Sequence, residues 1–312
     1  MQSNKTLPKK EISFINVYKA ELILLGITLS WGLTFPLIKL SLQFISPVLF
    51  IFLRFLITLI VFSFFFRNKI RFTQFKEWKN GIILGGFLFV GFAFQTIGLQ
   101  FTTASKSAFI TGTAVVIIPF AQYFILRSIP KPENIFGAVI VMIGLYVLSE
   151  AYISQPNIGD ILTLLSAVAF AFHIVFLDKY SRVSGFYDLA FGQFASMTLV
   201  SFIFMLFMEV IFSDRIFIEL TPSLIITILY GSIIATMLTI VLMTKYQRET
   251  TPLRAGIIYS MESVSAVFFA FIITSELLNL NQITGALIMI TGLMISELYG
   301  YIKLKFSDGS KS

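Results

Sequence analysis

The sequence predicts an all-α polytopic membrane protein, with ten transmembrane helices arranged as two inverted five-helix repeats around a central cavity. Three observations predict it. The 312 residues are 57% apolar and only 12% charged, with a mean hydropathy of +0.89, whereas soluble domains carry about 25% charged residues. The apolar residues fall in runs of about 20, the length of a helix that crosses hydrocarbon. A set of short markers also occurs twice in register. Thr103, Lys106, Gly137 and Gly144 return 148 positions later as Thr251, Arg254, Gly285 and Gly292, with no gap.

The first span is expected over Ala20–Leu40, after an N-terminus that stays polar through Lys19. No short apolar region ends there in a small-residue cleavage site, so no removable signal peptide is expected. The second span, Pro47–Phe66, and the third, Asn80–Gln100, are separated by the basic stretch from Arg67 to Lys79. The fourth, Ser105–Leu126, begins after Thr103 and ends at Arg127; the fifth, Asn134–Glu150, begins after Lys131. A boundary between halves follows near Ile153–Asn157, giving a first repeat over residues 1–152 and a second over 153–312. The second half repeats the pattern in Ile158–Lys179, Leu189–Val210, Pro222–Thr244, Arg254–Ser275 and Gln282–Gly300. Helices satisfy every backbone group internally, which hydrocarbon demands. A β-barrel would need segments of about ten alternating residues, and runs such as Leu56–Phe66 do not alternate.

The basic residues set the direction. With the N-terminus inside, 19 of the 23 Lys and Arg residues fall in inner segments and only Lys106 and Arg215 in outer ones; Lys39 and Arg54 fall within spans. Positive residues favour the cytoplasmic side, so both termini are expected in the cytoplasm and the protein in the cell inner membrane. Five spans per half is odd, so the second half enters from the opposite side and the repeat is inverted. The net charge of +7 is spread over short loops rather than one face, which argues against nucleic acid. The expected partners are a small-molecule substrate and membrane lipids, with the chain a monomer or homodimer. Cysteine is absent, which removes disulfides, thiolate metal sites and cysteine nucleophiles. No phosphate loop or Ser/His/Asp arrangement is readable: the glycine-rich stretch Gly81–Gly91 has no following lysine and threonine. No cofactor, metal or catalytic residue is expected, and any uphill transport draws on a gradient.

Short motifs carry a family resemblance over nearly the whole chain. Trp31-Gly32, Phe35-Pro36 and Lys39 mark the first span; Pro47 and Arg54 mark the second. Thr102 to Gly112 joins the third and fourth, and Gly159-Asp160-Ile161-Leu162 opens the sixth. Met261-Glu262, Ser275-Glu276-Leu277, and Gly285-Ala286-Leu287-Ile288 to Gly292-Leu293 follow in the ninth and tenth. In this order they resemble the EamA family of the drug/metabolite transporter superfamily. The chain departs at Arg127-Ser128, where the family often has a glycine–glutamate pair, and at Ser263, where it often has proline. The resemblance implies a secondary carrier that exports or exchanges a small polar or amphipathic metabolite, amino acids being the family's best-known class. The alternatives are a proton-coupled drug or metabolite antiporter and a non-transporting receptor or assembly protein. Short loops leave the last of these little surface for partners.

The candidate substrate-binding residues are Trp31, Thr34, Phe35, Arg54, Gln95, Thr111, Gln193, Tyr259 and Glu262; the candidate proton-coupling residues are His173 and Glu262. Charges within hydrocarbon cost at least a few kcal/mol, so they usually face a cavity or a partner. Glu262 shares a helix face with Tyr259, Ser263 and Ala266, and its repeat counterpart is Ala114. The symmetric scaffold therefore does not require its charge. His173, the single histidine, falls opposite Thr34 when Trp31-Gly32 is aligned with Phe170-Ala171; it either relays protons, as its ordinary titration range allows, or is hydrogen-bonded and structural. Arg54 either grips an anionic group through paired donors or anchors a helix by reaching carbonyls. Lys39 either snorkels outward or forms a rim charge that attracts anions. Gln95, Thr111, Gln122 and Gln193 are polar groups at depth, suited to orienting a ligand or to bonding between helices. The glycine pairs, Gly81 and Gly85 included, are expected to pack helices, and Gly32 with Pro36 offers a bending point. The 36 phenylalanines are expected mostly to face lipid.

Overall fold

A computed structural model describes residues 18–71, 75–149, 155–212, 216–274 and 279–309. The expected half boundary near residue 153, Arg215, and the motif at residues 275–277 lie wholly or partly outside them. Among the described residues the chain is helical apart from short connections and one isolated antiparallel bridge, Ile45 to Ile218. Nine helical stretches among the described residues are long and apolar enough to cross a membrane. A tenth, Leu280–Gly309, packs along Pro132–Ser149. Proximal here means the end of the bundle at Lys19, and distal the opposite end.

The repeated markers have physical roles. Thr103 and Thr251 are N-caps: each side-chain oxygen accepts the backbone N–H three residues on, from Lys106 at 3.2 Å and Arg254 at 3.4 Å. Each satisfies a donor that a helix start leaves open. Thr103→Ala and Thr251→Ala should each lower stability by about 1 kcal/mol, read as a fall in melting temperature of the purified protein. Asn157 and Asp160 form a reciprocal capping box at the sixth span.

The four repeated glycines seat the fifth span against the tenth. A Cβ at Gly137 would lie 2.8 Å from the Gly292 carbonyl oxygen, and one at Gly292 would lie 2.8 Å from that of Gly137. Gly144 faces the Met289 backbone nitrogen at 2.7 Å and Gly285 the Leu148 Cα at 2.6 Å. Only hydrogen fits such gaps, so two helices rich in apolar residues lock by backbone approach. Gly81 and Gly85 meet the seventh span in the same way, at Gly192 and Gln193.

Three spans differ from the continuous helices expected. The fourth is two half-helices, Ala104–Gly112 and Ala114–Leu126, and the ninth is Pro252–Ser260 and Glu262–Thr274. The breaks, at Thr113 and Met261, are repeat-equivalent. At each the backbone N–H turns to the carbonyl three residues back, Ile110 or Ile258. The eighth span runs Pro222–Leu229, then a π-helical Tyr230–Leu238, then Thr239–Tyr246. Distant side chains take up its carbonyls: Arg54 donates to Gly231 and Ala235, Thr58 to Ser232, and Trp31 to Ala235.

More of the described phenylalanines are exposed than buried, but some build the core. Phe50, Phe55, Phe62 and Phe194 are fully buried, and an aromatic seam of Phe62, Phe194, Phe55 and Phe92 joins the second, third and seventh spans. Lys39 does not reach outward; its Nζ donates to the Leu99 carbonyl at 2.5 Å and the Gln100 carbonyl at 3.3 Å, satisfying acceptors at the distal end of the third span.

Candidate functional site

The two breaks lie side by side and build the centre of the molecule. Ser260 Oγ donates to the Gly112 carbonyl at 3.2 Å, and Ser263 Oγ to that of Ala108 at 2.8 Å. Ser260 and Gly112 are themselves repeat-equivalent, so this contact sits where the halves cross. Around it is a cavity of about 60 Å³, room for only a few waters.

The wall is built from matching positions of the two halves. Trp31, Thr34 and Phe35 of the first span face Phe170, His173 and Ile174 of the sixth. These are the same positions, 139 residues apart. Gln95 answers Met243, and Thr111, Gly112 and Ala114 answer Tyr259, Ser260 and Glu262. Leu88, Phe92, Ile118 and Gly256 complete it. None of the described lining residues comes from the fifth or tenth span.

The chemistry of the wall is less symmetric than its shape. Gln95 Nε2 donates to Thr111 Oγ1 at 3.0 Å, and Thr34 Oγ1 to the Trp31 carbonyl at 2.7 Å. Trp31 and Tyr259 meet edge to face with centroids 5.4 Å apart. Their polar ends are tied outward: Trp31 Nε1 donates to Ala235 O at 3.0 Å and Thr239 Oγ1 at 3.2 Å, and Tyr259 OH to Gln247 Oε1 at 3.2 Å. Gln193 Nε2 donates to Leu189 O and Thr244 Oγ1, which turns Oε1 to His173 at 3.0 Å and makes His173 Nε2 the donor. Glu262, 7% exposed, begins the second half of the ninth span on the cavity wall. It has no hydrogen-bond or ion-pair partner among the described residues.

Seven substrate-binding candidates therefore line the cavity, and so does His173. Arg54 and Gln193 stand one layer out. Arg54, 2% exposed, lies over the Phe92 ring at 4.5 Å, and its Nε donates to Thr236 Oγ1 at 2.7 Å and Gly231 O at 3.2 Å. It holds the π-helical turn, which is the anchoring arrangement of the two weighed above. Arg54→Leu should take a donor from Thr236 Oγ1 and from the Gly231 carbonyl, which keeps only the Thr236 hydroxyl, and cost about 1–3 kcal/mol, read by thermal unfolding. Phe92, Phe170 and Ser260 were not singled out from sequence. The alignment of Trp31 with Phe170 already carried the signal for the second of them.

A crevice opens at the proximal end, lined by Gln122, Leu126, Lys131, Asp178, Arg182 and Pro252 among others. Arg182 pairs there with Asp178 at 2.7 Å, a hydrogen bond that raises the guanidinium above its ordinary value. Gln122 and Pro252 lie one turn beyond Ile118 and Gly256 of the central wall. Between the two spaces the Ile118 Cδ1 fills the notch that the missing Gly256 side chain leaves.

Ion pairs stand at both ends of the bundle. At the distal end Lys106 Nζ meets Asp160 at 2.6 Å, and Thr102 Oγ1 donates to the same carboxylate at 2.8 Å. At the proximal end Arg254 meets Glu21 at 3.1 Å and also pairs with Glu297. Lys106 and Arg254 are repeat-equivalent, and so are Asp160 and Glu21 under the alignment of Trp31 with Phe170. Each pair joins a broken span of one half to the opening span of the other.

A sequence profile of the EamA-like transporter family matches residues 18–150 and 157–298. The chain belongs to this family. Its two matched segments are the two five-helix repeats. An uncharacterized transporter of Archaeoglobus fulgidus is 32% identical over 279 residues, covering 89% of this chain and 86% of its own. The uncharacterized transporter YoaV of Bacillus subtilis is 22% identical, over 89% of this chain and 96% of its own. A protein crystal structure superposes with a TM-score of 0.73 at 16% identity, covering 90% of this chain and 98% of that one, a likeness of fold. This EamA-family chain is thus a multi-pass membrane protein of a transporter family.

Proposed function

We propose that this EamA-family protein is a secondary transporter of the cell inner membrane. It exports or exchanges a small polar or amphipathic metabolite by alternating access. The observation that carries the reading is the pair of equivalent ion bridges, Lys106–Asp160 and Arg254–Glu21, at opposite ends of one cavity. Rocking the halves about the crossed breaks would open one bridge while holding the other, as inverted repeats allow. Ile118 in its notch forms a further proximal closure. Excess Lys and Arg at the proximal end support placing that end, with both termini, in the cytoplasm.

The test is flux into reconstituted vesicles, which should be saturable and substrate-specific. Ile118→Ala should raise access to the cavity from the proximal side, seen as faster labelling of a cysteine introduced at Thr111. Unchanged labelling would remove Ile118 from the closure. Orientation is checked by Lys69→Cys and Gln155→Cys, which should react with an impermeant reagent from opposite faces.

A second reading has a specific observation behind it. An unpartnered carboxylate and a histidine share the cavity wall, so Glu262 with His173 could exchange a proton against substrate. Flux that responds to an imposed pH gradient would support antiport, and indifference to it would leave facilitated exchange.

A further inference from the structure

We infer that the central cavity is built for an organic cation: an amine or quaternary ammonium carried on an aromatic or alkyl body. The inference rests on the carrier reading and names its substrate class. The wall holds one carboxylate, and none of its described residues is Lys or Arg. An anion or a zwitterion would bring its own carboxylate into this space, where no Lys or Arg meets it and the one basic side chain, His173, already spends its Nε2 on Gln193; an uncompensated charge at depth is strongly disfavoured. The basic groups nearest by sequence are engaged elsewhere. Lys39 is held by carbonyls at the distal end of the third span, and Arg54 by the π-helical turn behind Phe92.

The carboxylate is also in the state that a cation would complete. Glu262 is nine-tenths buried, lacks a protein partner among the described residues, and faces the cavity. A primary amine would supply it with a charge-assisted hydrogen bond, roughly twice as strong as a neutral one. Trp31 and Tyr259 stand beside it as an edge-to-face pair, with their polar ends turned to the protein and their ring surfaces left to the cavity. Ring faces attract cations, tryptophan most strongly. Phe92 is already covered on one side by Arg54; of the other lining rings, Trp31 and Tyr259 are the two that stand on the side of Glu262, and indole is the strongest of them toward a cation.

The asymmetry between the halves agrees. The positions equivalent to Glu262, Tyr259 and Trp31 are Ala114, Thr111 and Phe170. The second-half break supplies the carboxylate and the phenol, the opening span the indole. The first-half break supplies only Thr111, Gly112 and Ala114, so this side of the wall carries no charge and, with Phe170 and Phe35, presents an apolar surface to the ligand body once the cavity widens to admit it.

Four probes that share one body and differ in charge test this: phenethylamine, phenylalanine, 3-phenylpropionate and 2-phenylethanol. Each is titrated into purified full-length protein, with binding read by tryptophan fluorescence and by melting temperature. Phenethylamine should bind and raise the melting temperature, and the other three should bind at least about tenfold more weakly. Glu262→Gln should lose phenethylamine selectivity with an unchanged or higher baseline melting temperature, and Trp31→Phe should weaken phenethylamine alone. Tighter binding of phenylalanine or 3-phenylpropionate overturns the proposal. So does binding of phenethylamine that Glu262→Gln leaves intact, and so does failure of all four probes. None of these outcomes touches the carrier reading, which is judged by access to the cavity from both faces, without any ligand.

Discussion

Glu262→Gln should abolish vesicle flux while leaving the protein at least as stable as the parent. The two effects run in opposite directions because the carboxylate is expensive to the fold and has no partner in it. Holding this carboxylate ionised in hydrocarbon costs at least about 2–3 kcal/mol even on the gentlest scale, and no lysine, arginine or backbone donor among the described residues offsets it. Glutamine keeps the shape and removes the charge. A residue that burdens the folded state and is absent from the equivalent position, Ala114, is kept for what it does rather than for what it holds. Strain of this kind is characteristic of functional sites. The measurement is a thermal melt beside a flux assay on the same preparation. A variant that melts well below the parent would make Glu262 a structural residue.

Gly285→Leu should have the largest effect on stability. The new side chain would start 2.6 Å from the Leu148 Cα, and backbone cannot swing aside as a side chain can. The fifth and tenth spans would separate, and the neighbouring approaches at Gly137, Gly144 and Gly292 would be lost with them. Overpacking costs about 1–3 kcal/mol where a core can adjust; here the loss should exceed that, because the interface is made of backbone. Little monodisperse protein should survive extraction into detergent. Gly26→Leu is the control: nothing lies within 4 Å of a Cβ there, and it should behave as the parent does. Equal yields of the two variants would mean that the glycine seam does not hold these spans together.

The features legible in the sequence were those with a local or periodic cause. Span number and the repeat follow from runs of apolar residues and from markers at a fixed interval. The structure supplies the reasons for those markers: two N-caps, two cations that join the halves, and four glycines that seat one helix pair. What stayed hidden depends on residues far apart in the chain. Nothing local marks the breaks at Thr113 and Met261, where the backbone keeps helical angles and no proline intervenes. The π-helical turn after Leu229 is held by Arg54, Thr58 and Trp31, more than 170 positions away. The ion pairs Lys106–Asp160 and Arg254–Glu21 need two different repeat intervals, 148 for the broken spans and 139 for the opening ones, so neither stood out alone. Phe92 and Phe170 were lost among 36 phenylalanines. The alignment that paired His173 with Thr34 was enough to place Phe170 beside it.

The central claim is that one cavity is reached alternately from two ends, each closed by its own ion pair. The chain has no cysteine, so a single Thr111→Cys reports on the cavity without background. In sealed vesicles of known orientation, a small impermeant thiol reagent should reach that cysteine from either face. Joining cysteines at positions 106 and 160 with a bifunctional thiol reagent, before Thr111→Cys is probed in a separately protected form, should block labelling from the distal face alone. Joining positions 21 and 254 should block it from the proximal face alone. Labelling from one face only, whichever end is joined, would contradict the account.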